Sequence, residues 1–259
     1  MQANNKLDGY ALLSKIGKKV LRPGGMKLTL RLLDELQIKY GDDVVEFAPG
    51  RGATAALALQ RDPHSYIGID TDAKAVLKLS RKFKGRNIQF IQASAAHTDI
   101  PARVKDCVFG EAMLTMQADH RKIEIIKEAI RILRKGGLYG IHELALLPET
   151  IEEDLKADIQ KSLAKSVMTN TRPLTVMEWK ALLEAQGLKI RKVILEPMGL
   201  LRPLNILKDE GYWGTLRIAA NVLTHSEIRK RVQSMRQLFC KYHQNLTAVA
   251  IVAEKVNHV

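Results

Sequence analysis

The sequence is poor in cysteine, in aromatic residues and in long apolar runs, and each shortage excludes a class of protein. Its 259 residues include only Cys107 and Cys240, which are too few and too far apart for a disulfide framework or a zinc cluster. No uncharged apolar stretch is long enough to span a bilayer, and the first residues lack the apolar core of a signal peptide. The sequence therefore predicts a cytoplasmic protein without a metal site.

Charge of one sign is in excess. Lys and Arg outnumber Asp and Glu by 41 to 28, and the net charge of +13 raises the question of nucleic acid, anionic lipid or an acidic substrate. Much of the excess lies in helical patterns, where a solvated face is the commoner explanation. An aromatic content of 5% also argues against a stacking platform for single strands. Nucleic acid binding therefore stays open as an alternative and is not favoured.

Short strand-like apolar runs alternate with longer helix-like ones from Asp42 onward. This alternation is typical of a parallel sheet that is covered by helices on both faces. Capping-box pairs that begin at Thr150, Thr175 and Thr224 predict three of the helix starts. Seven strands are predicted, over residues 44–48, 66–70, 88–92, 106–110, 138–143, 190–196 and 247–254.

The most informative segment is a strand that runs through Glu46 into a turn with Gly50 and Gly52, followed by an Ala-rich helix start. Glycines let the backbone approach a ligand closely, and the helix N-terminus offers free amide donors. A glycine match alone also fits a dinucleotide site. Glu46, however, would repel a diphosphate and attract an ammonium, and Asp70 stands where a ribose-hydroxyl acceptor is expected, about 20 residues after the glycines. The two acids favour a cationic, ribose-bearing ligand without phosphates.

These residues resemble the acidic and glycine motif of the class I S-adenosylmethionine-dependent methyltransferases. Residues 106–113 are similar to the family's fourth motif, and residues 132–139 to its segment leading into the fifth strand. The resemblance implies one domain over residues 1–259. Its expected fold is α/β, with a Rossmann-like, seven-stranded, mostly parallel sheet, an antiparallel last strand, helices on both faces and helical cap insertions. It also implies S-adenosyl-L-methionine as the cofactor, held by Glu46, Ala48, Gly50, Gly52, Asp70 and Thr71.

Four further residues are expected near the cofactor. Ser94 stands where the family has an acid that contacts the adenine amino group, and Ala95 is expected to offer a backbone amide to the ring. Arg22 is expected to meet the methionyl carboxylate, although a solvated charge cluster is an equally good interpretation. Glu111, just past the fourth strand, is a candidate ligand whose alternative role is a helix-start carboxylate.

Methyl transfer from a sulfonium is an in-line displacement, so alignment in a dry pocket is the main requirement. If the acceptor needs a catalytic base, His142 at the carboxyl end of the fifth strand is the first candidate and Glu111 the second. A histidine with a purely structural role is the alternative for His142. Strand alternation predicts that the neighbouring Glu143 faces the other way, unless the strand has already ended there.

Three segments remain once the sheet is laid out, namely residues 1–36, 148–173 and 197–245. We expect them to form helices that cap the carboxyl edge of the sheet and enclose an acceptor pocket beside His142, with extra packing as the alternative. Their apolar content favours a small organic acceptor, such as a quinone, phenolic or polyketide-like compound. An RNA methyltransferase with the same cofactor is the second reading. An NAD(P)-dependent oxidoreductase is the third, and the acid before the glycines argues against it. The oligomeric state is left open.

Overall fold

A computed structural model describes Gly17 and residues 22–199 and 203–256. The remaining parts of the predicted cap, residues 1–16, 18–21 and 200–202, lie outside the described residues. The described strands are β1 (Asp43–Phe47), β2 (Ser65–Asp70), β3 (Ile88–Gln92), β4 (Lys105–Glu111), β5 (Leu133–Leu146), β6 (Leu174–Thr175), β7 (Leu188–Pro197) and β8 (Leu246–Lys255). The described helices are α1 (Gly25–Glu35), α2 (Ala53–Leu59), α3 (Ala73–Lys82), α4 (Asp119–Ile132), α5 (Glu153–Val167), α6 (Val176–Glu184), α7 (Pro203–Thr224) and α8 (Ser226–Lys241).

The strands form one sheet in the order β3-β2-β1-β4-β5-β8-β7. Strands β1 to β5 are parallel, and β8 runs antiparallel between β5 and β7. The central strands are buried on both faces, which explains why they read as continuous apolar runs. The predicted seven strands and the antiparallel last strand are confirmed. The short β6, which pairs with the end of β5, is an additional eighth strand.

Helices cover both faces of this sheet. Helices α4 and α6 pack against one face through residues such as Ile126 and Trp179. Helices α1, α2 and α3 pack against the other, where α1 inserts Leu28, Leu32 and Leu33. Within the predicted N-terminal cap, α1 therefore covers a face of the sheet, because its leucines recur at helical spacing on one side.

The two later insertions lie at the carboxyl end of the sheet. Helix α5 packs through Ile159 and Leu163 against Leu144 and Leu146, the last residues of β5. Helices α7 and α8 pack against each other and against the end of α5 in a separate small cluster. Within the described residues, no helix has the length and apolar character needed to cross a bilayer.

Candidate functional site

A cavity of about 610 Å³ opens at the carboxyl ends of β1, β2, β4 and β5. Its volume falls within the range of small-molecule sites, which is about 300–1,000 Å³. One part is lined by strand-end acids and the glycine turn, with Glu46, Gly50, Asp70 and Glu111. The other part is lined by apolar side chains from the end of β5, from α5, from α8 and from nearby loops. These are Leu144, Leu163, Val167, Met198, Met235 and Phe239.

The turn after β1 brings backbone, with little side chain, to the cavity wall. Ala48 and Gly50 both have φ of 54° and Gly52 has φ of 73°, so three residues within five lie in the left-handed region. A Cβ atom at Gly52 would lie 2.5 Å from the Leu79 side chain, so glycine is also needed for packing against α3. Such backbone strain concentrates at ligand sites. The turn is consistent with the predicted roles of Ala48, Gly50 and Gly52.

Glu46 is buried at the cavity wall near the end of β1, where it accepts a hydrogen bond from the hydroxyl of Tyr66. Burial raises the pKa of Glu46 to about 8, with the Tyr66 hydrogen bond acting in the opposite direction. A cation placed beside Glu46 would offset that burial and restore the ionised form. The position therefore suits an ammonium ligand.

Asp70 ends β2 and is tied to the glycine turn. Its carboxylate accepts hydrogen bonds from the backbone amides of Gly50 at 3.2 Å and Asp72 at 2.9 Å. A carboxylate has about four lone-pair sites, so acceptor capacity remains for a ligand hydroxyl. Thr71 and Asp72 line the cavity beside it, and Asp72 also caps α3 through the amide of Lys74.

Glu111, the last residue of β4, is the centre of a buried polar network. Its carboxylate accepts hydrogen bonds from Thr29 at 2.6 Å and from Thr54, and it lies 3.2 Å from Nη1 of Arg22. Nδ1 of His142 lies 2.7 Å away. Burial alone would raise the pKa of Glu111, but Arg22 and the hydrogen bonds from His142 and Thr29 lower it to about 2. Glu111 is therefore an ionised anchor and a weak base.

Arg22 reaches the same network from the N-terminal side. Its Nη1 donates to the Thr54 hydroxyl at 2.8 Å, and the residue is 6% exposed. Nε of Arg22 is buried without a hydrogen-bond partner, and the residue lines the cavity. A buried unpaired guanidinium donor needs a partner, and a ligand carboxylate would supply one.

His142 does not face the cavity. It is 0% exposed, its Nδ1 meets Glu111, and its Nε2 meets the backbone carbonyl of Pro23. Both ring nitrogens are therefore held by protein acceptors, and neither is available to a substrate. The predicted role of His142 as the acceptor's base is corrected, although the cavity does lie beside it, since its partners Pro23 and Glu111 line the cavity. The structural alternative fits the observed geometry.

Glu143, the next residue of β5, lines the cavity. Its carboxylate accepts from the amides of Met113, Leu114 and Thr115 and from the Thr115 hydroxyl, at 2.7–3.0 Å. Burial raises the pKa of Glu143, with these hydrogen bonds acting in the opposite direction. Glu143 thereby holds the loop after β4 in place. Sequence reasoning missed this role because no local motif signals it.

Ser94 and Ala95 lie away from the lining that the described residues define. The Ser94 hydroxyl accepts hydrogen bonds from Arg121 at 2.7 Å and from the amide of Ala96 at 3.2 Å. Its acceptor sites are thus used within the protein. This geometry gives no support to the predicted adenine contact.

The described residues contain no group of three or more His, Cys, Asp and Glu side chains that could hold a metal ion. The acid, glycine and arginine positions instead match the parts of S-adenosylmethionine. An ammonium fits Glu46, a carboxylate fits the unpaired Nε of Arg22, and hydroxyls fit Asp70.

Comparisons with known proteins agree with this reading. Residues 44–137 match a family model described as a methyltransferase domain. An uncharacterized protein of Haemophilus influenzae is 29% identical over 252 residues, which cover 95% of this chain and 98% of that protein.

Two solved structures share the fold. The [4+2]-cyclase SpnF has a TM-score of 0.72 at 14% identity, over 96% of this chain and 94% of its own. Phosphoethanolamine N-methyltransferase 2 of Haemonchus contortus, in complex with S-adenosyl-L-methionine, has a TM-score of 0.70 at 18% identity. That match covers 96% of this chain and 57% of the other. Such identities establish the fold alone. The family-model match over residues 44–137, the strand order and the acid and glycine positions together support a class I S-adenosylmethionine-dependent methyltransferase.

Proposed function

We propose that this enzyme methylates a small apolar organic acceptor of the quinone, phenolic or polyketide-like class. The observation that carries the proposal is the apolar half of the cavity, beyond the strand-end acids. Four methionines, Met113, Met116, Met198 and Met235, line it together with Phe239. Methionine is flexible and polarizable, and it adapts to irregular apolar ligands.

In this proposal, the polar half of the cavity holds the cofactor. Glu46 accepts the ammonium of the methionyl group, Nε of Arg22 meets its carboxylate, and Asp70 accepts the ribose hydroxyls. The backbone around Gly50 approaches the ligand closely. S-adenosylmethionine supplies an electrophilic methyl group on a sulfonium, and the residues of this chain orient it toward the apolar half.

Alignment and exclusion of water are the main contributions that we propose for the chain. His142 is engaged on both ring nitrogens, and the pKa of about 2 makes Glu111 too weak a base to take a proton near neutral pH. Holding two reactants in line in a dry site accelerates such a displacement, and S-adenosylhomocysteine is the leaving group. An acceptor that has already released its proton to water, such as a phenolate, needs no base from the chain. We therefore propose a positioning role for both residues.

We propose that residues 148–173 and 197–245 bind the acceptor. Helix α5 contributes Leu163 and Val167 to the cavity, and α8 contributes Met235 and Phe239. These helices pack on the end of β5 through Leu144, so they stand in front of the strand-end acids. The whole chain then acts as one methyltransferase domain with an inserted acceptor-binding part.

An RNA acceptor receives less support from this geometry. Among the described lining residues the cationic side chains are Arg22 and Arg51, and Arg22 is buried against Glu111. A site for a polyanion would present exposed cations along a track.

The decisive experiment offers S-adenosylmethionine with a radioactive methyl group to the enzyme in a cell extract. The proposal predicts label in the organic-soluble fraction, whereas label in acid-precipitable RNA would contradict it. Phe239→Glu should lower organic-soluble transfer roughly tenfold or more through KM, because a charge would then line the apolar half. Affinity for S-adenosylmethionine should stay unchanged. Gln237→Glu, on an exposed position of the same helix, is the matched control.

A further inference from the structure

The outward side of α7 carries an unusual concentration of exposed apolar residues. Thirteen large apolar side chains are exposed among the described residues, and five of them lie on this one helix. Trp213 is 80% exposed, Leu223 67% and Tyr212 65%. Isolated exposed apolar residues are ordinary, but a contiguous group marks an interaction site.

These residues form one face of the helix. After the non-helical Gly211, the positions 212, 216, 219 and 223 follow the spacing of a helical stripe, and Trp213 lies beside it. We call Tyr212, Trp213, Leu216, Ala219 and Leu223 the outer face. A neighbouring side of the helix, about 110° round its axis at 100° per residue, carries Ile218 and Val222, which pack against α8. Helix α7 is therefore apolar on two sides, and a helix of that kind is normally covered on both.

The surroundings of the outer face are basic. Over helices α7 and α8, from residue 203 to residue 241, the chain has seven Lys and Arg and three acidic residues, which are Asp209, Glu210 and Glu227. Arg217 on α7 and Arg229, Lys230 and Arg236 on α8 are exposed. Aromatic and aliphatic side chains next to exposed cations are the composition of a helix that lies in a lipid headgroup region.

We infer that α7 and α8 form a docking surface for an anionic lipid bilayer, with the outer face inserted at the level of the headgroups. Charge complementarity selects anionic lipid, and the leucines distinguish a bilayer from a nucleic acid, which would be met by cations and stacked rings alone. The inference goes beyond the proposed function and holds whatever the acceptor is. Helix α8 also lines the cavity through Met235 and Phe239, so the docking surface and the cavity share a helix.

The two tryptophans of the chain make the test direct. Trp179 is 0% exposed and its indole N–H donates to the Leu144 carbonyl at 3.1 Å, so its emission should not respond to lipid. Trp213 is exposed and should report insertion. The full chain is titrated with vesicles of phosphatidylglycerol and phosphatidylcholine, and with vesicles of phosphatidylcholine alone. We expect the emission to move to shorter wavelength, and the protein to sediment with vesicles, in the anionic case.

Variants separate the apolar contribution from charge. Leu216→Glu and Leu223→Glu should each weaken vesicle binding roughly tenfold or more, because each removes a leucine from the buried face. Leu77→Glu is the matched control, since Leu77 is 52% exposed on the basic helix α3 and lies outside the outer face. Unchanged melting temperatures show that the variants remain folded.

Three outcomes would overturn the inference. The first is absence of binding to either vesicle. The second is binding to anionic vesicles that the leucine variants leave intact and that high salt abolishes, which indicates charge alone. The third is a shift of Trp213 emission with protein concentration in the absence of lipid, which makes the outer face a contact between copies of this chain.

Discussion

Binding of S-adenosylmethionine should release a proton, because the buried carboxyl of Glu46 has to ionise before it can accept the ligand's ammonium. In the free protein, burial raises the pKa of Glu46 to about 8, against the effect of the hydrogen bond from Tyr66. A bound cation beside the carboxyl would lower that pKa again. The proton is lost wherever the free carboxyl is protonated and the bound one is ionised.

The size of the effect follows from that pKa. At pH 7 most of such a carboxyl is protonated, and ionising it costs on the order of 1 kcal/mol of binding free energy. Lower pH adds to this cost, so the affinity should fall several-fold, up to roughly tenfold, from pH 7 to pH 6. An α-amino group with a pKa of about 7.7–8.0 is roughly 10–17% neutral at pH 7, so it takes up about that fraction of a proton when it binds as an ammonium and lowers the net release by the same amount.

Calorimetry at pH 7 in buffers of different ionisation enthalpy measures the net number of protons released, and we expect a clear net release of well under one proton. Glu46→Gln should bind more weakly, release no proton and show no dependence on pH from 6 to 7. Tyr66→Phe keeps the carboxyl and removes a hydrogen bond to its ionised form, so proton release should persist. An affinity that is equal at pH 6 and pH 7 in the wild type, with no proton release, would refute the role of Glu46.

Four other predictions test the site and the fold. Asp70→Ala should weaken S-adenosylmethionine binding by roughly 1.5–3 kcal/mol and lower the melting temperature slightly, because the amides of Gly50 and Asp72 lose their acceptor while the protein stays folded. Unchanged affinity by calorimetry would exclude the ribose role. Without cofactor, Glu46→Gln should gain stability over the wild type from pH 5 to pH 8. The pKa of Glu46 is higher in the folded protein than in the unfolded chain, so the wild type loses stability as the pH rises through that window. A stability difference between variant and wild type that stays constant from pH 5 to pH 8 would contradict this prediction. His142→Ala should lower the unfolding free energy by about 1–3 kcal/mol, because Glu111 and the Pro23 carbonyl each lose a buried partner while Arg22 still pairs with Glu111. The transfer rate per folded molecule should fall far less than the roughly 100-fold or more expected for a lost base. Thr175→Ala should lower stability by about 1 kcal/mol in urea melts and Thr224→Ala by less than about 0.5 kcal/mol, since Thr175 alone of the two forms a capping box.

Most of the sheet could be predicted because the central strands are apolar, short and bounded by turn residues. Two details could not. Strand β5 begins at Leu133, because Leu133 pairs with Lys105 beyond a bulge. The sequence predicts a start at residue 138, because Gly136 and Gly137 resemble a helix stop. Strand β6 has two residues, too few to show any period.

Helix starts show the limit of a local motif. Of the three predicted capping boxes, the one at Thr175 is present. Helix α5 begins at Glu153 without a side-chain cap, and the Thr224 hydroxyl bonds back to the carbonyl of Ala220. Where a threonine already belongs to a preceding helix, its hydroxyl has an acceptor one turn earlier.

The acid and glycine positions of the site could be predicted because they follow strand ends directly in sequence. The placement of His142 and Glu143 could not, since the cavity lies at the edge of the sheet and is lined from both faces. Glu111, which lines the cavity, shares a face with the covered His142, whereas Glu143 reaches the cavity from the other face. His142 is covered through a contact across 119 residues, with the carbonyl of Pro23, that spacing along the chain does not encode.

The network around Glu111 also constrains when this protein can finish folding during its synthesis. Arg22, Thr29 and Thr54 emerge from the ribosome well before His142, and the carboxylate that they surround lacks its last partner until β5 has been made. Burial of an incompletely paired carboxylate is unfavourable, and contacts between distant residues form slowly. A nascent chain that stops before residue 133 should therefore stay open to proteases and chaperones, although it already contains the glycine turn and Asp70.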